Sequence, residues 1–84
     1  MAWWYVYMVR CSDDTLYTGI TTDVERRIAE HNGEPKGKGA KYTAARRPVE
    51  LVYTKRHKDR SSAASYEAVL KQHSRTEKNR LIDN

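Results

Sequence analysis

The sequence predicts a small α+β domain, in which a three-stranded, mainly antiparallel sheet is flanked by three to four helices. Three observations predict this fold. Two alternating apolar runs stand on either side of a short turn, a third strand-like run follows near mid-chain, and helix-start signals precede most of the remaining segments. Since the chain has 84 residues, we expect one domain that spans 1–84.

The first two strands are predicted to pair as a hairpin. Residues 3–11 (WWYVYMVRC) place apolar side chains alternately on two faces, and residues 15–21 form a second strand-like run. Residues 12–14 (SDD) between them have turn chemistry, because short polar side chains bond readily to their own backbone.

The register of this hairpin decides which tyrosines meet. A three-residue loop would place Tyr7 opposite Gly19 and Val9 opposite Tyr17. Tyr7 and Tyr17 would then be diagonal neighbours on one face of the sheet, close enough to contribute to one site. A loop longer or shorter by one residue would separate them.

A helix is predicted directly after the second strand. Thr22 and Glu25 have the spacing of a capping box, and the helix is expected to end near His31, before Asn32-Gly33. Val24 and Ile28, four residues apart, are predicted to form its buried stripe. Arg27 and His31 form a neighbouring stripe that borders the sheet and still reaches solvent.

The middle of the chain is predicted to contain a flexible loop, a short helical turn and a third strand. Residues 34–39 (EPKGKG) form the loop, and residues 40–46 form the turn, which Pro48 ends. Residues 49–54 (VELVYT) form the third strand.

Two further helices are predicted after the third strand. Asp59 or Ser61 caps a helix over residues 62–73. Ser74 and Glu77 form a capping box for a short last helix through Ile82. The side chains expected to point inward from the longer helix are Ala63, Tyr66, Val69 and Leu70.

Positive charge is concentrated in one segment of the chain. The formal net charge is +5, and residues 36–47 contain five cations and no acid. Such a segment favours a polyanion, most often nucleic acid, although a solvated lysine-rich loop is an equal alternative from charge alone. The candidate nucleic-acid-binding residues are Lys36, Lys38, Lys41, Arg46 and Arg47.

Several protein classes are excluded. No apolar run approaches the length of a membrane span, and the N-terminus lacks the basic lead-in of a signal peptide. The single cysteine, Cys11, excludes an internal disulfide framework and a cysteine-based zinc cluster. We therefore expect a cytoplasmic protein with no membrane partner.

The polar residues of the hairpin and first helix suit phosphodiester chemistry. An arginine fork binds phosphate oxygens, a phenol or imidazole moves a proton, and a carboxylate holds a divalent cation. Each residue also has an ordinary explanation. Strand tyrosines usually pack in cores, a helix histidine is usually structural, and Glu67 could simply pair with Lys71.

The ordered set of these residues resembles the GIY-YIG nuclease superfamily, in its small stand-alone branch. Residues 5–7 (YVY) stand where the GIY triplet belongs, and residues 17–19 (YTG) stand for YIG. Residues 39–43 (GAKYT) also resemble a segment of that branch. The further matching positions are Arg27, His31, Glu67 and Lys71, with Asn79 as a weaker match.

The resemblance implies metal-dependent cleavage of phosphodiester bonds. Tyr7 or Tyr17 would serve as the general base or assist it, and Arg27 would contact the scissile phosphate. His31 would orient a tyrosine or bind phosphate, and Glu67 would hold one Mg²⁺ or Mn²⁺. Gly19 would be structural.

Two positions depart from the family pattern. Tyr5 replaces the first glycine, and Ile20 stands where the excision-repair nucleases of the superfamily have a lysine. The leading hypothesis is a DNA endonuclease with a repair or recombination role. The alternative is a catalytically weak or inactive nucleic-acid-binding module with the same fold. DNA is favoured over RNA as the partner, with a possible protein partner for targeting and a monomer or weak dimer as the expected state.

Overall fold

Three strands and four helices follow one another in a computed structural model, which describes residues 3–34 and 38–83. The predicted α+β class with a three-stranded antiparallel sheet is confirmed. Lys36 lies outside the described residues. The elements are β1 (Trp4–Arg10), β2 (Leu16–Thr21), α1 (Val24–His31), α2 (Lys41–Ala44), β3 (Glu50–His57), α3 (Arg60–Lys71) and α4 (Arg75–Asp83).

The most apolar strand occupies the centre of the sheet. The strand order is β2-β1-β3, and both pairings are antiparallel. Residues 6–9 of β1 are buried on both faces, because helices or loops cover each side. On one face Tyr7 and Val9 pack with Val49, and on the other Val6 packs against α3. The alternating pattern of this strand thus supplies two small cores.

The predicted hairpin register is confirmed. Tyr7 lies opposite Gly19 and Val9 lies opposite Tyr17. The three-residue turn closes with a bond from the Cys11 N–H to the Thr15 carbonyl, 2.8 Å long. The two tyrosines therefore share one face of the sheet.

The cap of α1 differs from the prediction. Asp23, not Thr22, is the N-cap residue, and its side chain accepts from the Arg26 N–H at 3.0 Å. The predicted buried stripe was also wrong in part. Val24 and Ile28 are only partly buried, whereas His31 is 0% exposed. The C-terminal end of α1 packs on the tyrosine face of the sheet, while its first turn borders an open groove of about 710 Å³.

The third strand is longer than predicted. β3 continues to His57, three residues past the expected end, and its exposed residues include Lys55 and Arg56. An edge strand needs no apolar alternation to pair, so the polar sequence concealed this extension.

The last two helices begin where the capping signals place them. Asp59 caps α3 by accepting from the Ser62 N–H at 2.7 Å. Ser74 and Glu77 form the predicted reciprocal capping box before α4. Ala63 and Leu70 face the core as expected, but Val69 is exposed. No helix in the described ranges is long and apolar enough to span a membrane.

Candidate active site

The phenol ring of Tyr7 lies across Gly19 on the neighbouring strand. An ideal Cβ atom built at Gly19 would stand only 2.5 Å from the Tyr7 hydroxyl oxygen and 2.7 Å from Cζ. Tyr7 itself is 1% exposed, so its ring has no empty space to move into. Gly19 therefore supplies the room in which the Tyr7 phenol lies, which gives the family glycine a structural reason at this position.

The Tyr7 hydroxyl begins a buried chain of hydrogen bonds. It lies 2.6 Å from His31 Nε2, and His31 Nδ1 lies 2.7 Å from Thr43 Oγ1. The Thr43 hydroxyl donates its one hydrogen to the Ala40 carbonyl at 3.1 Å, so it accepts from His31 Nδ1–H. The lone pair of a neutral His31 is then on Nε2, where it accepts the Tyr7 hydroxyl hydrogen.

Burial and nearby cations keep His31 neutral. Burial, with smaller contributions from the Arg27 and Arg47 cations, lowers the pKa of His31 to about 4, and Glu30 opposes the shift only in part. Burial also raises the pKa of Tyr7 to about 12, although Arg27 opposes the rise, while Tyr17 and Glu67 add to it. At neutral pH both groups are therefore uncharged, with Tyr7 as donor and His31 as acceptor.

The lowered pKa of His31 predicts a loss of stability in mild acid. The unfolded chain takes up a proton near the ordinary pKa of about 6.5, whereas folded His31 resists protonation until about pH 4. Stability is therefore complete above pH 6.5 and falls as the pH drops towards 4. We expect the free energy of unfolding to fall by about 2 kcal/mol between pH 7 and pH 5.

Urea denaturation at several pH values measures this effect. His31→Gln should remove most of the decline, whereas His73→Gln, on a half-buried residue in a loop, should leave it in place. A decline of equal size in the His31→Gln protein would assign the pH dependence to other groups.

Arg27 is oriented by two acceptors. Its Nη1 atom donates to Glu30 at 2.8 Å and to the Lys38 carbonyl at 2.9 Å. Burial acts to lower the pKa of Arg27, but Glu30 and Tyr7 outweigh it and the pKa is raised. The side chain remains 25% exposed. A permanent cation thus stands beside the Tyr7 phenol with part of its surface open to solvent.

Glu67 lies on α3, which packs on the face of the sheet opposite the Tyr7 ring. Its carboxylate pairs with Lys71 at 3.4 Å and is close enough to Tyr7 to raise the pKa of that phenol. Within residues 3–34 and 38–83 there is no group of three or more potential metal-binding side chains. One partly exposed carboxylate suits a cation that keeps most of its water ligands, as Mg²⁺ does. The donor set therefore fits a hydrated divalent ion held by Glu67.

Tyr17 is the more accessible of the two phenols. It is half-buried, and its ring meets the edge of the His31 ring at 5.2 Å between centroids. On α2, Tyr42 stacks on Tyr17 at 5.8 Å and is itself exposed. Neither Tyr42 nor Thr43 was among the predicted site residues, because a four-residue helix gives no periodic signal of what it faces.

Two of the predicted nucleic-acid contacts have intramolecular roles. Arg46 pairs with Asp13 at 3.0 Å and lies 3.9 Å from the centre of the Tyr42 ring. Arg47 donates to the His31 carbonyl at 2.7 Å, which satisfies the end of α1. Lys38 and Lys41 are exposed. Asn79 lies in α4, and no hydrogen bond joins it to the site residues that the structure describes.

The GIY-YIG catalytic domain family matches residues 3–80. The chain belongs to the GIY-YIG family. A UPF0213 protein of Desulfotalea psychrophila is 54% identical over 79 residues, covering 94% of this chain and 70% of the relative. A UPF0213 protein of Staphylococcus haemolyticus is 52% identical over 83 residues, covering 99% of this chain and 98% of the relative. These relatives are uncharacterised small proteins, so the GIY-YIG assignment extends to the family and its fold.

Two solution NMR structures have the same architecture as this GIY-YIG domain. The UPF0213 protein of Bacillus halodurans is 43% identical with a TM-score of 0.60, covering 96% of this chain and 83% of that one. A protein of E. faecalis is 39% identical with a TM-score of 0.63, covering 99% and 88%. The likeness supports the three-stranded antiparallel sheet with four helices.

Proposed function

We propose that this GIY-YIG domain hydrolyses phosphodiester bonds in DNA with one divalent cation, Mg²⁺ or Mn²⁺. The single observation that supports this most is the environment of Tyr7. Its phenol donates to His31, and both the Arg27 cation and the Glu67 carboxylate act on its pKa. Tyr7 of β1 and His31 of α1 are directly hydrogen-bonded, and the charge of Glu67 on α3 acts on the same phenol, which supports one site with Tyr17 of β2 at its accessible side.

Arg27 is the proposed contact to the scissile phosphate. Both of its described side-chain bonds use Nη1, so Glu30 and Lys38 fix one corner of the guanidinium. A fixed planar fork can donate to phosphate oxygens as their negative charge increases in the transition state. Its charge persists throughout the reaction because the pKa is raised.

Tyr17 is the proposed phenol that contacts the attacking water. It is half-buried and accessible, whereas Tyr7 is fully buried and already donates to His31. In this proposal Tyr7 and His31 are positioning residues. The Tyr7–His31 hydrogen bond fixes the imidazole ring, and the Tyr17 ring packs against that ring with 5.2 Å between the centroids. Tyr17 would relay a proton: its oxygen accepts one from water as the new phosphorus–oxygen bond forms, while its own hydroxyl hydrogen passes to a phosphate oxygen or to solvent water.

Glu67 is the proposed holder of the metal ion. When bound, a divalent cation neutralises charge on the leaving oxygen and orients the phosphate. Lys71, whose Nζ lies 3.4 Å from the Glu67 carboxylate, limits the positions that this carboxylate can take on α3. The remaining ligands would be water and phosphate oxygens.

Cleavage of labelled single-stranded, duplex, flap and branched DNA, with and without Mg²⁺ or Mn²⁺, tests the proposal. The parent protein should cut only with metal. Glu67→Gln and Tyr17→Phe should each cut about 10²-fold more slowly, since each removes one group that acts on the reacting atoms. Glu50→Gln, an exposed acid at the start of β3, is the matched control and should cut normally. Equal cutting by the parent, Glu67→Gln and Tyr17→Phe proteins would refute the site.

A second candidate is a nucleic-acid-binding module without cleavage. The observation that favours it is the position of Ile20, which packs against Val6, Ala63 and Leu70. The lysine that excision-repair relatives have at this position is therefore replaced by a core residue, and one source of phosphate stabilisation is missing. This candidate predicts salt-sensitive DNA binding and no cleavage with any metal. Metal-dependent cutting that Glu67→Gln abolishes would rule it out.

A further inference from the structure

Four cations surround the end of β3 and the start of α3. Lys55, Arg56, Lys58 and Arg60 are all exposed, and none of them forms an ion pair within the described residues. The one acid among them, Asp59, is occupied as the N-cap of α3. The charge of this group is therefore not offset locally, in contrast to Arg46, which pairs with Asp13.

An exposed aromatic ring lies within this group. Trp3 is 46% exposed, and the Arg56 guanidinium carbon lies 4.0 Å from the centre of its ring. An indole that is left half in water contributes little to the core and offers a π face at the surface. Cations interleaved with exposed aromatic rings are the features with which proteins bind unpaired nucleic-acid strands.

The helix that follows departs from the usual charge preference. The first turn of α3 has Arg60 and no acid, whereas α1 has Glu25 and α4 has Glu77 in their first turns. A cation at the positive end of a helix dipole is unfavourable. The Asp59 carboxylate at the N-cap offsets the positive helix end, and a bound phosphate would add a second negative charge beside Arg60.

The surface is continuous with the face of the sheet that holds the candidate active site. Arg56 pairs with Tyr5, and Thr54 pairs with Tyr7. Paired residues share a face of an antiparallel sheet. Arg56 is therefore on the tyrosine face, two residues or roughly 7 Å along the strand from the position opposite Tyr7. Lys55 pairs with Val6 and is on the opposite face, which α3 covers.

We propose that the part of this junction on the tyrosine face, formed by Trp3 and Arg56 with Lys58 beside the start of α3, binds an unpaired DNA strand that extends from the site of cleavage. The cations contact its phosphates, and a base stacks on Trp3. The inference rests on the proposed function for the nature of the substrate. It assigns the main strand contact to the β3–α3 junction rather than to residues 36–47.

Fluorescence anisotropy with a labelled oligothymidylate tests the proposal in EDTA, where no metal-dependent cleavage takes place. The double variant Arg56→Gln, Lys58→Gln should reduce the slope of log affinity against log salt by about 1 to 1.5. The control variant Lys78→Gln, Arg80→Gln changes the net charge equally on α4 and should reduce it by less than about 0.5.

A second experiment tests base stacking with substitutions of Trp3 alone. Trp3→Leu should weaken binding of the single strand by roughly 5-fold or more and duplex binding by less than twofold, because only an unpaired base has a free face for stacking. Trp3→Phe should restore most of the loss. Circular dichroism should show native folding for each variant.

Two results would overturn the inference. One is equal salt slopes for the two double variants, and the other is unchanged single-strand affinity after Trp3→Leu. Absence of cleavage in the metal-containing assay would instead refute the proposed function. The binding measurements made in EDTA could still be interpreted in that case. Binding and cutting therefore fail independently.

Discussion

Replacing Arg27 by alanine is expected to slow DNA cleavage by about 10²–10³-fold while the fold survives. The reason is that Arg27 is the oriented cation beside the Tyr7 phenol. Its loss removes donors aimed at the oxygens where charge develops in the transition state. The stability cost should stay below about 1 kcal/mol, since its ion pair with Glu30 is partly exposed.

The neighbouring residue offers a matched control. Arg26 lies on the same helix, contacts the same Glu30 at 3.8 Å and is more exposed than Arg27. Arg26→Ala should cut within about threefold of the parent rate, since the exposed ion pair between Arg26 and Glu30 contributes little free energy. Arg27→Lys keeps the charge but loses the planar fork, so it should recover only part of the activity. Steady-state cleavage rates of the three variants measure these effects, and thermal denaturation checks that each variant is folded. Equal losses for Arg26→Ala and Arg27→Ala would show that only net charge matters.

Substitution of Gly19 by alanine is expected to destabilise the protein by about 2–4 kcal/mol. The new Cβ would meet the Tyr7 hydroxyl oxygen at 2.5 Å. Because Tyr7 is buried, the ring can yield only by giving up its bond to His31. The cost therefore combines overpacking with an unsatisfied buried nitrogen. Urea denaturation of Gly19→Ala and of the surface control Thr22→Ala measures the effect.

A double-mutant cycle with Tyr7→Phe identifies the cause. Tyr7→Phe removes the oxygen that the new methyl group of Gly19→Ala would strike, although ring carbon Cζ would still lie 2.7 Å from that Cβ. The alanine substitution should therefore cost at least about 0.5 kcal/mol less in the Tyr7→Phe protein than in the parent. Strictly additive costs would mean that the alanine acts through something other than the phenol.

The sheet and its register were predictable because they depend on local signals. The alternation of β1 and the polar three-residue turn together fix which residues face each other. The end of β3 was not predictable in the same way. Lys55 and Arg56 are paired to β1 through backbone atoms alone, and such pairing leaves no apolar pattern in the sequence.

The candidate site was predictable in its members but not in their environments. Family spacing identified Tyr7, Arg27 and His31, but the complete burial of His31 was not expected. Thr43 of α2 contributes to it, because its hydroxyl accepts from the imidazole at 2.7 Å. A contact between residues twelve apart, across a loop, has no local signature.

The charge of a segment was a poor guide to its contacts. Arg46 and Arg47 belong to the most basic stretch of the chain, yet they hold Asp13 and the His31 carbonyl. These bonds give both arginines a structural role, and their contact with nucleic acid stays a prediction. The cations of the β3–α3 junction were not predicted to bind nucleic acid, because Asp59 interrupts their run in the sequence.

The bonds from Arg27 to Glu30 and to the Lys38 carbonyl have a consequence for affinity. A long, freely rotating side chain loses conformational entropy when a ligand immobilises it. In this protein the Arg27 side chain is already immobilised when the chain folds. An anion that binds to it therefore loses less binding free energy to side-chain entropy. Loosening Glu30 should then lower affinity without touching a single atom that the ligand contacts.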